Sequence, residues 1–571
     1  MNNKDIALSL EEMATLMELN GENSFRIRSY SNAVRQVELL KESVTDLIAA
    51  GTLDSVRGIG KKLADNIAVL IETGKLPGYE ELKAELPEGL LEMLDVPGLG
   101  AKRVRGIYES LGISDVDALA KACEAGDIEQ LSGFGKKTAE NILKGVAYLQ
   151  KHRGRFLSRT AQAEAENLRA FVQDLPGVIR LEVTGSVRRR METSKDVDIV
   201  VSTEDPIALA DAFASYEGVE EITGKGETKV SVILTSGMSA DLRMVADDAF
   251  PYILHHFTGS KEHNTMMRQR AKERGWKLNE YGLFDGDKRI DCDDEVGLFA
   301  ALDLAYIAPE LREGQGEIEA AEAGRLPDLV TKQDLKGTLH VHTTYSDGRN
   351  SVEEMAKEAL KLGYSYIAIC DHSKAAAYAN GLNETRVRAQ WDEIEKVNDT
   401  LDGIRVLKGI EVDILGEGRL DFDDGFLAEF DVVVASIHSK FSMTEKEATE
   451  RVIRAVENPH VDILGHLTGR LLLSREGYPL DIRAVIDAAA ETKTAIEINA
   501  NPARLELDWR YLDYAKEKGV KIPINTDAHS TAGLSDMHFG VGMARKGGLE
   551  KGDVQNALPL EAFLAELNSQ G

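Results

Sequence analysis

Apolar and polar positions in the first 150 residues follow a helical period that breaks three times at the same kind of turn. Arg57-Gly58-Ile59-Gly60-Lys61-Lys62, Pro97-Gly98-Leu99-Gly100-Ala101-Lys102-Arg103 and Ser132-Gly133-Phe134-Gly135-Lys136-Lys137 each lie between helical patterns and lead into an amphipathic run. One supersecondary unit used repeatedly explains this. Further on the period becomes two: Ser194-Lys195-Asp196-Val197-Asp198-Ile199-Val200-Val201 alternates into an apolar strand and puts residues 196 and 198 on one face. After residue 336 seven short apolar runs recur, at 337–339, 366–370, 404–407, 431–435, 461–464, 495–498 and 520–524. The segments between them are long enough for helices, so strand and helix alternate as in a parallel β/α barrel. Residues 309–334 are rich in Gly, Glu and Ala, weakly periodic, and read as a linker. No apolar run approaches the ~20 residues of a membrane span, and the first residues lack a charged-then-apolar leader.

Composition adds two constraints. The 571 residues suggest roughly three or four domains, and the formal net charge of −29 argues against a protein that simply coats nucleic acid. Divided along the chain, 17 of those negative charges belong to residues 301–571, whereas residues 151–200 carry +3. The total therefore narrows how a polyanion could be held, by local features such as the run Lys151–Arg159 and the segment Lys261–Lys277, where six basic residues outnumber two acids. Cys123, Cys292 and Cys370 are far apart, which disfavours both a disulfide framework and a thiolate zinc site and suits a reducing cytoplasm. A cytoplasmic, nucleoid-associated protein with no membrane partner is the expectation.

Each Gly-apolar-Gly turn bends the chain tightly and brings bare N–H groups to a helix N-terminus, where an anion is favourably bound; the Lys or Arg that follows adds charge. These turns resemble the helix-hairpin-helix motif, which grips a DNA backbone without reading bases. Gly58, Gly60 and Lys62, Gly98, Gly100 and Lys102, and Gly133, Gly135 and Lys137 are the expected DNA contacts.

In the middle of the chain, Asp196 and Asp198 could share a pair of magnesium ions with a nucleoside triphosphate. Gly185-Ser186 upstream, with Arg189, could hold the phosphates, and Ser239-Ala240-Asp241 supplies a third acid for a neighbouring strand. With His256-Phe257-Thr258-Gly259-Ser260, Asn264, Arg268 and Gly275-Trp276-Lys277, this stretch resembles the nucleotidyltransferase core of family X DNA polymerases, the group that includes polymerase beta. The resemblance implies that Asp196 and Asp198 hold both metals and that Asp241 also accepts the proton of the primer 3′ hydroxyl. It further implies nucleotide binding by Gly185, Ser186, Arg189, His256, Phe257, Gly259, Asn264 and Arg268. Two positions depart from the pattern. Asn66 stands where the family's lyase domain has a Schiff-base lysine, with Lys62 one turn earlier as a substitute amine, so 5′-deoxyribose-phosphate removal by that route is not expected. His256 replaces an aromatic hydroxyl near the sugar, which leaves exclusion of ribonucleotides open.

Eight of the twelve histidines follow residue 339, and almost every apolar run there ends in a metal-binding side chain. They are His340 and His342, Asp371 and His372, Glu411 and Asp413, His438, His466, Glu497 and Asn499, then Asp527 and His529, with Asp347 in the first loop. A parallel barrel gathers its strand C-termini at one face, so side chains far apart in sequence would converge there. So many N and O donors suggest two or three zinc or manganese ions. Thr338-Leu339-His340-Val341-His342 through Asp347-Gly348 resembles the PHP (polymerase and histidinol phosphatase) family. By that resemblance one metal takes His340, His342, Glu411 and Asp527, a second Glu411, His438 and His466, and a third Asp347, His372 and His529. The expected chemistry is metal-assisted phosphoester hydrolysis. His460 and His538 lack the strand-end context and are expected to be structural.

The three resemblances occur together in bacterial and archaeal family X polymerases. The implied architecture is multidomain α and α/β: an N-terminal helix-hairpin-helix, lyase-like domain (1–80), a helix-hairpin-helix fingers-type domain (81–155), a nucleotidyltransferase palm (156–248), a thumb-type subdomain (249–308), the linker (309–334) and a distorted (β/α)7 PHP barrel (335–571). The implied function is gap-filling DNA synthesis in base-excision or end-joining repair, using dNTPs on gapped or primer-template DNA, by a monomer with Mg2+ or Mn2+ in the palm. The barrel would act as a 3′-5′ exonuclease with up to three Mn2+ or Zn2+ ions, and as an abasic-site endonuclease or 3′-phosphodiesterase. Two rivals stay open: a phosphatase whose only live centre is the barrel, and a non-catalytic DNA-end scaffold.

Overall fold

The computed structural model describes residues 3–40 and 42–568. It divides into two compact units, Met1–Arg153 and Gly154–Gly571.

The first unit is helical and has two cores. Helices Asn3–Leu19, Ser24–Leu39, Val44–Ala49 and Lys61–Thr73 enclose Leu10, Met17, Val37, Ile67 and Leu70. Helices Glu88–Leu94, Ala101–Leu111, Val116–Ala125 and Lys136–His152 enclose Leu90, Val104, Ile107, Leu119 and Ile142. The three repeated turns adopt one geometry. Gly58, Gly98 and Gly133 have φ of +91°, +82° and +86°, a conformation that glycine enters without steric cost. The next residue turns back, with Ile59, Leu99 and Phe134 each donating N–H to the carbonyl three residues earlier at 3.0 Å.

In the second unit a five-stranded sheet runs in the order Val178–Val183, Asp196–Thr203, Ser239–Val245, Lys229–Leu234, Val219–Lys225. Only the central pair, Asp196–Thr203 with Ser239–Val245, is parallel. Helices Ser158–Gln173 and Pro206–Ala214 contribute Leu168, Val172, Leu209 and Phe213 to the core that covers it. There follow helices Phe250–Thr258 and Lys261–Glu273, a three-stranded antiparallel sheet over residues 276–290, and helix Glu295–Ala301.

Residues 309–334 depart from the linker expectation. Helix Glu317–Glu322 places Ile318 and Ala321 in the same core as Tyr252, Met267 and Phe299, and Arg312 is fully buried. Ion pairs hold the segment together with this short apolar patch, which is why its periodicity is weak. Arg312 donates to the Ile307 carbonyl and to Glu295, while Glu317 accepts from the Gly314 and Gln315 amides and contacts His263. Val330 N–H then bonds the Leu549 carbonyl of the last module.

That module carries the seven expected strands. Gly337–Val341, Tyr366–Ile369, Arg405–Asp413, Val432–Ser436, Ile463–Leu464 and Ala495–Ile496 pair in parallel in chain order. The sixth run is interrupted at Glu497, and Ile498–Asn499 pairs instead with Ile524–Asn525. Leu339 N–H to Asn525 and a bridge between Val341 and Ala528 bring the last strand against the first. The strands are buried on both faces, which accounts for their near-continuous apolar runs.

Candidate catalytic centres and DNA-binding turns

The register of the central parallel pair sets Asp198 directly opposite Asp241, and Asp196 opposite Ser239. Three carboxylates thus crowd the ends of two strands. Burial, and then the charges of Asp196 and Asp241, push the Asp198 carboxyl up to about 6; Asp196 is raised by burial and by Asp241. Such mutual repulsion is what a divalent cation relieves, so the donor set fits one. Asp241 is bonded to Ser231 Oγ and to Lys229 Nζ, each at 2.7 Å. Sequence reading missed both; their signal was alternation on the neighbouring strand Lys229–Leu234.

The loop that precedes this strand is fitted to the carboxylates. Gly185 has φ +62°, and a Cβ there would meet Asp198 Oδ2 at 2.9 Å. Ser186 Oγ bonds Ser194 Oγ at 2.8 Å. Arg188 pairs with Glu295 at 2.7 Å, whereas Arg189 donates from Nε to Glu313 at 2.9 Å and from Nη1 to the Thr258 carbonyl. Gly259 suits that approach: its φ is +71°, and a Cβ on it would lie 2.9 Å from Arg189 Nη1, so the guanidinium would have to shift. His256, Asn264 and Arg268 line one small recess with Leu278 and Asn279. Asn264 donates to the His256 carbonyl at 2.7 Å, and Phe257 packs under the Arg243 guanidinium at 3.8 Å.

At the barrel's strand ends all nine expected ligands come together. Three groups each present ligand atoms within 4.8 Å of one another: His342, Asp347, His372 and His529; His340, His342 and Asp527; and His372, Glu411 and His438. His466 Nε2 lies 2.9 Å from Glu411, which is also within 3.6 Å of His340, His342, His372 and His438. Glu411 is therefore the hub, and His372 joins its group as well as that of Asp347. Buried ring nitrogens without a hydrogen-bond partner that face the cluster, on His340, His342 and His372, fit a cation as the missing partner. Burial, joined by the neighbouring His529, lowers the His342 imidazole to about 3, the neutral form a metal takes. Burial would also lower His438, but Glu411 and Asp413 more than offset it and hold it up to about 10.

Other strand-end residues orient the ligands. Glu497 is fully buried, accepts from Asn525, Asn499 and the His466 amide, and sits 2.8 Å from His340 Nδ1. Asp413 stands 3.3 Å from His438 Nδ1. Asp371 receives the Thr343 and Ser346 amides and hydroxyls and Gln390, fixing the loop that carries Asp347. Sequence reading missed Arg504, whose Nε lies 3.5 Å from Asp527; its one signal was position just beyond the Glu497–Asn499 strand end. His460 and His538 lie outside the three groups.

In the helical unit, Gly60, Gly100 and Gly135 are the N-caps of helices Lys61–Thr73, Ala101–Leu111 and Lys136–His152, and none has a side-chain cap. Their first amides are left for an outside acceptor. Asn66 donates to the Tyr30 hydroxyl at 3.0 Å. Of the basic run expected to meet DNA, Arg155 is held by Thr193, whereas Arg153 and Arg159 are more than half exposed while paired with Glu92 and Asp536.

Family models match four segments: a helix-hairpin-helix domain at residues 1–76, a SAM-like helix-hairpin-helix tandem at 90–147, the DNA polymerase beta thumb at 253–313 and the PHP domain at 338–501. The DNA polymerase/3′-5′ exonuclease PolX of Bacillus subtilis is 41% identical over 571 residues, covering 99% of each chain. A "Probable phosphatase" of Thermoanaerobacter sp. (strain X514) is 34% identical over 208 residues, 34% of this chain and 80% of its own. Similarity to the Bacillus protein runs through every module from the helical turns to the barrel, and the chain belongs to the PolX family, the family X DNA polymerases that carry a PHP domain.

Proposed function

We propose that this chain is a DNA polymerase that fills short gaps and a 3′-5′ exonuclease that trims the same ends, working in base-excision or end-joining repair. One observation carries the polymerase assignment: three carboxylates gathered on the central parallel strands, Asp198 opposite Asp241 with Asp196 two residues away, beside a glycine turn at φ +62° whose Cβ would crowd Asp198.

In the palm, Asp196 and Asp198 would hold the cations, and Asp241 would accept the proton of the primer 3′ hydroxyl once Lys229 gives way. Ser186 and Arg189 would take the triphosphate, while His256, Phe257, Gly259, Asn264 and Arg268 would line the sugar and base. In the barrel the nine-residue cluster would bind the scissile phosphate, with Arg504 beside Asp527 to meet its negative charge. Divalent cations, Mg2+ or Mn2+ in the palm and Mn2+ or Zn2+ in the barrel, supply positive charge to the phosphate and leaving oxygen and activate the attacking group. The three glycine turns, with Lys62, Lys102 and Lys137, would hold the duplex backbone. The same barrel chemistry extends to abasic-site or 3′-phosphodiester cleavage. Lyase chemistry on the first hairpin is not proposed, because Asn66 offers no amine nucleophile. The partners are gapped DNA and dNTPs, and the working form is a monomer. No helix among the described residues is long and apolar enough to cross a membrane.

The test separates the centres. Asp196→Ala with Asp198→Ala should abolish extension of a gapped duplex and leave 3′ digestion; His340→Ala should do the reverse. Either variant retaining both activities would overturn the assignment.

A further inference from the structure

The helix Met537–Lys546 of the barrel ends in a side chain that reaches the phosphate loop of the palm. Lys546 is fully buried at its side chain, and its ammonium donates to the Arg189 carbonyl at 3.1 Å, to the Glu310 carbonyl at 3.4 Å and to the Glu313 carboxylate. The Trp509 ring lies 4.6 Å beneath it. Glu313 Oε1 also accepts from Arg189 Nε, so one largely buried carboxylate, 13% exposed, serves two cations. The surrounding contacts are ion pairs as well: Arg545 with Glu310 at 2.8 Å and Arg510 with Glu192 at 3.0 Å. We propose that Lys546 is a positioning residue for DNA synthesis, contributed by the nuclease module: by sharing Glu313 it keeps Arg189 free to turn to the incoming triphosphate.

The argument is one of charge balance and rests on the reading of Arg189 as a triphosphate contact. A buried carboxylate stripped of its partner is strongly disfavoured. With Lys546 in place, Arg189 can leave Glu313 without stranding it, and the cluster of two cations and one anion keeps a positive charge to offer a phosphate. Without Lys546, Arg189 and Glu313 form a closed pair that nucleotide binding would have to break. Lys546 also ties down the Arg189 carbonyl, so the loop itself loses a fastening.

In the full-length chain, Lys546→Met should raise KM for the incoming dNTP in single-nucleotide gap filling by about tenfold or more, with kcat at saturating dNTP held within about threefold. The 3′ digestion rate should match wild type, which shows the barrel intact. Lys546→Arg should retain most of the affinity. Lys546→Met with Glu313→Gln should bring KM back near wild type, because a neutral amide and the Thr258 carbonyl hold Arg189 far less tightly than a carboxylate; a purely structural role would make the double variant worse. Wild-type KM in Lys546→Met, or no recovery in the double variant, would overturn the proposal. If Lys546→Met loses 3′ digestion through misfolding, Glu313→Gln alone decides: KM at or below wild type supports the sharing, and a raised KM refutes it. Arg189→Gln separates the two readings. Unchanged KM there removes the triphosphate role itself, whereas raised KM beside an inert Lys546→Met removes only the part given to the nuclease module.

Discussion

Glu295 is the place where palm and thumb are joined by charge, and replacing it by glutamine should cost about 3 kcal/mol. Its carboxylate is 5% exposed and takes Arg188 Nη2 at 2.7 Å on one oxygen and Arg312 Nη1 at 2.5 Å on the other. Arg312 has no access to solvent, and its guanidinium lies 5.0 Å from the Phe299 ring and 5.3 Å from the Tyr306 ring. Burial works to raise the Glu295 carboxyl; Arg312 and Arg188 more than offset it and hold it at about 2 against an ordinary 4.5. At 1.36 kcal/mol per pH unit that difference is about 3 kcal/mol, within the ~3–5 kcal/mol that breaking a buried ion pair costs. A carboxyl depressed on folding stabilises fully above its ordinary value, and the contribution is lost as pH falls toward the folded one. The gap between wild type and Glu295→Gln should therefore be constant from pH 7 to about 5, then close by roughly 1.4 kcal/mol per unit between about 4.5 and 2. Hydrogen exchange of peptides covering residues 250–301, read as opening free energies at pH 7 and pH 3.5, measures both values. A gap below about 1 kcal/mol at pH 7, or one that persists unchanged at pH 3.5, would refute this account of the joint.

The other predictions concern one module each. Gly98→Ala forces a φ of +82° on a residue with a Cβ, which costs roughly 1–2 kcal/mol locally and should weaken binding to a gapped duplex several-fold by fluorescence anisotropy at low salt, with polymerisation at saturating DNA retained. Asp371→Asn turns an amide hydrogen toward a site that meets only donors, and should cut 3′ digestion at least tenfold while gap filling stays at wild-type rate. After exhaustive chelation, added Mn2+ should raise the barrel's melting temperature with concentration, and Glu411→Gln, which removes charge from the hub of the cluster, should flatten that response; an equal rise in both would remove Glu411 from the ligands.

How far the sequence could be read depended on whether the information was repeated or shared. The hairpins were legible because three turns carried the same residues; that parallel strands must end on one face gave the barrel's pool of donors, and the nine ligands were picked from it only by the PHP resemblance. Period two put Asp196 and Asp198 on one face, but Gly185-Ser186 upstream, Asp241 downstream and the family resemblance were needed to single them out. Residues 309–334 misled because burial there is bought with ion pairs, so Arg312 and Glu317 wrote no apolar stripe. The break at Glu497 was invisible for a related reason, since Ala495-Ile496-Glu497-Ile498 reads as one strand until Asn499 and Asn525 are seen to claim the carboxylate. Basic residues were the least readable of all. An arginine looks the same whether it faces a phosphate or the protein, and Arg155 turned out to be tied to Thr193.

The parallel pairing of Asp196–Thr203 with Ser239–Val245 also sets an order in time. Asp198 and Asp241 meet only after the chain has closed the excursion through Pro206–Leu234, and the barrel's ligands meet only after His340 has waited for His529. Loop closure slows with the length of chain to be closed, and synthesis runs from the N-terminus. The expected order is therefore the helical turns first, the palm strands next and the barrel cluster last, so that a newly made chain should extend an end at saturating dNTP, with the raised KM of a palm still lacking Lys546, before it can remove one. Refolding from denaturant, sampled for both activities, should show synthesis regained ahead of 3′ digestion; the opposite order would mean that the barrel nucleates the unit.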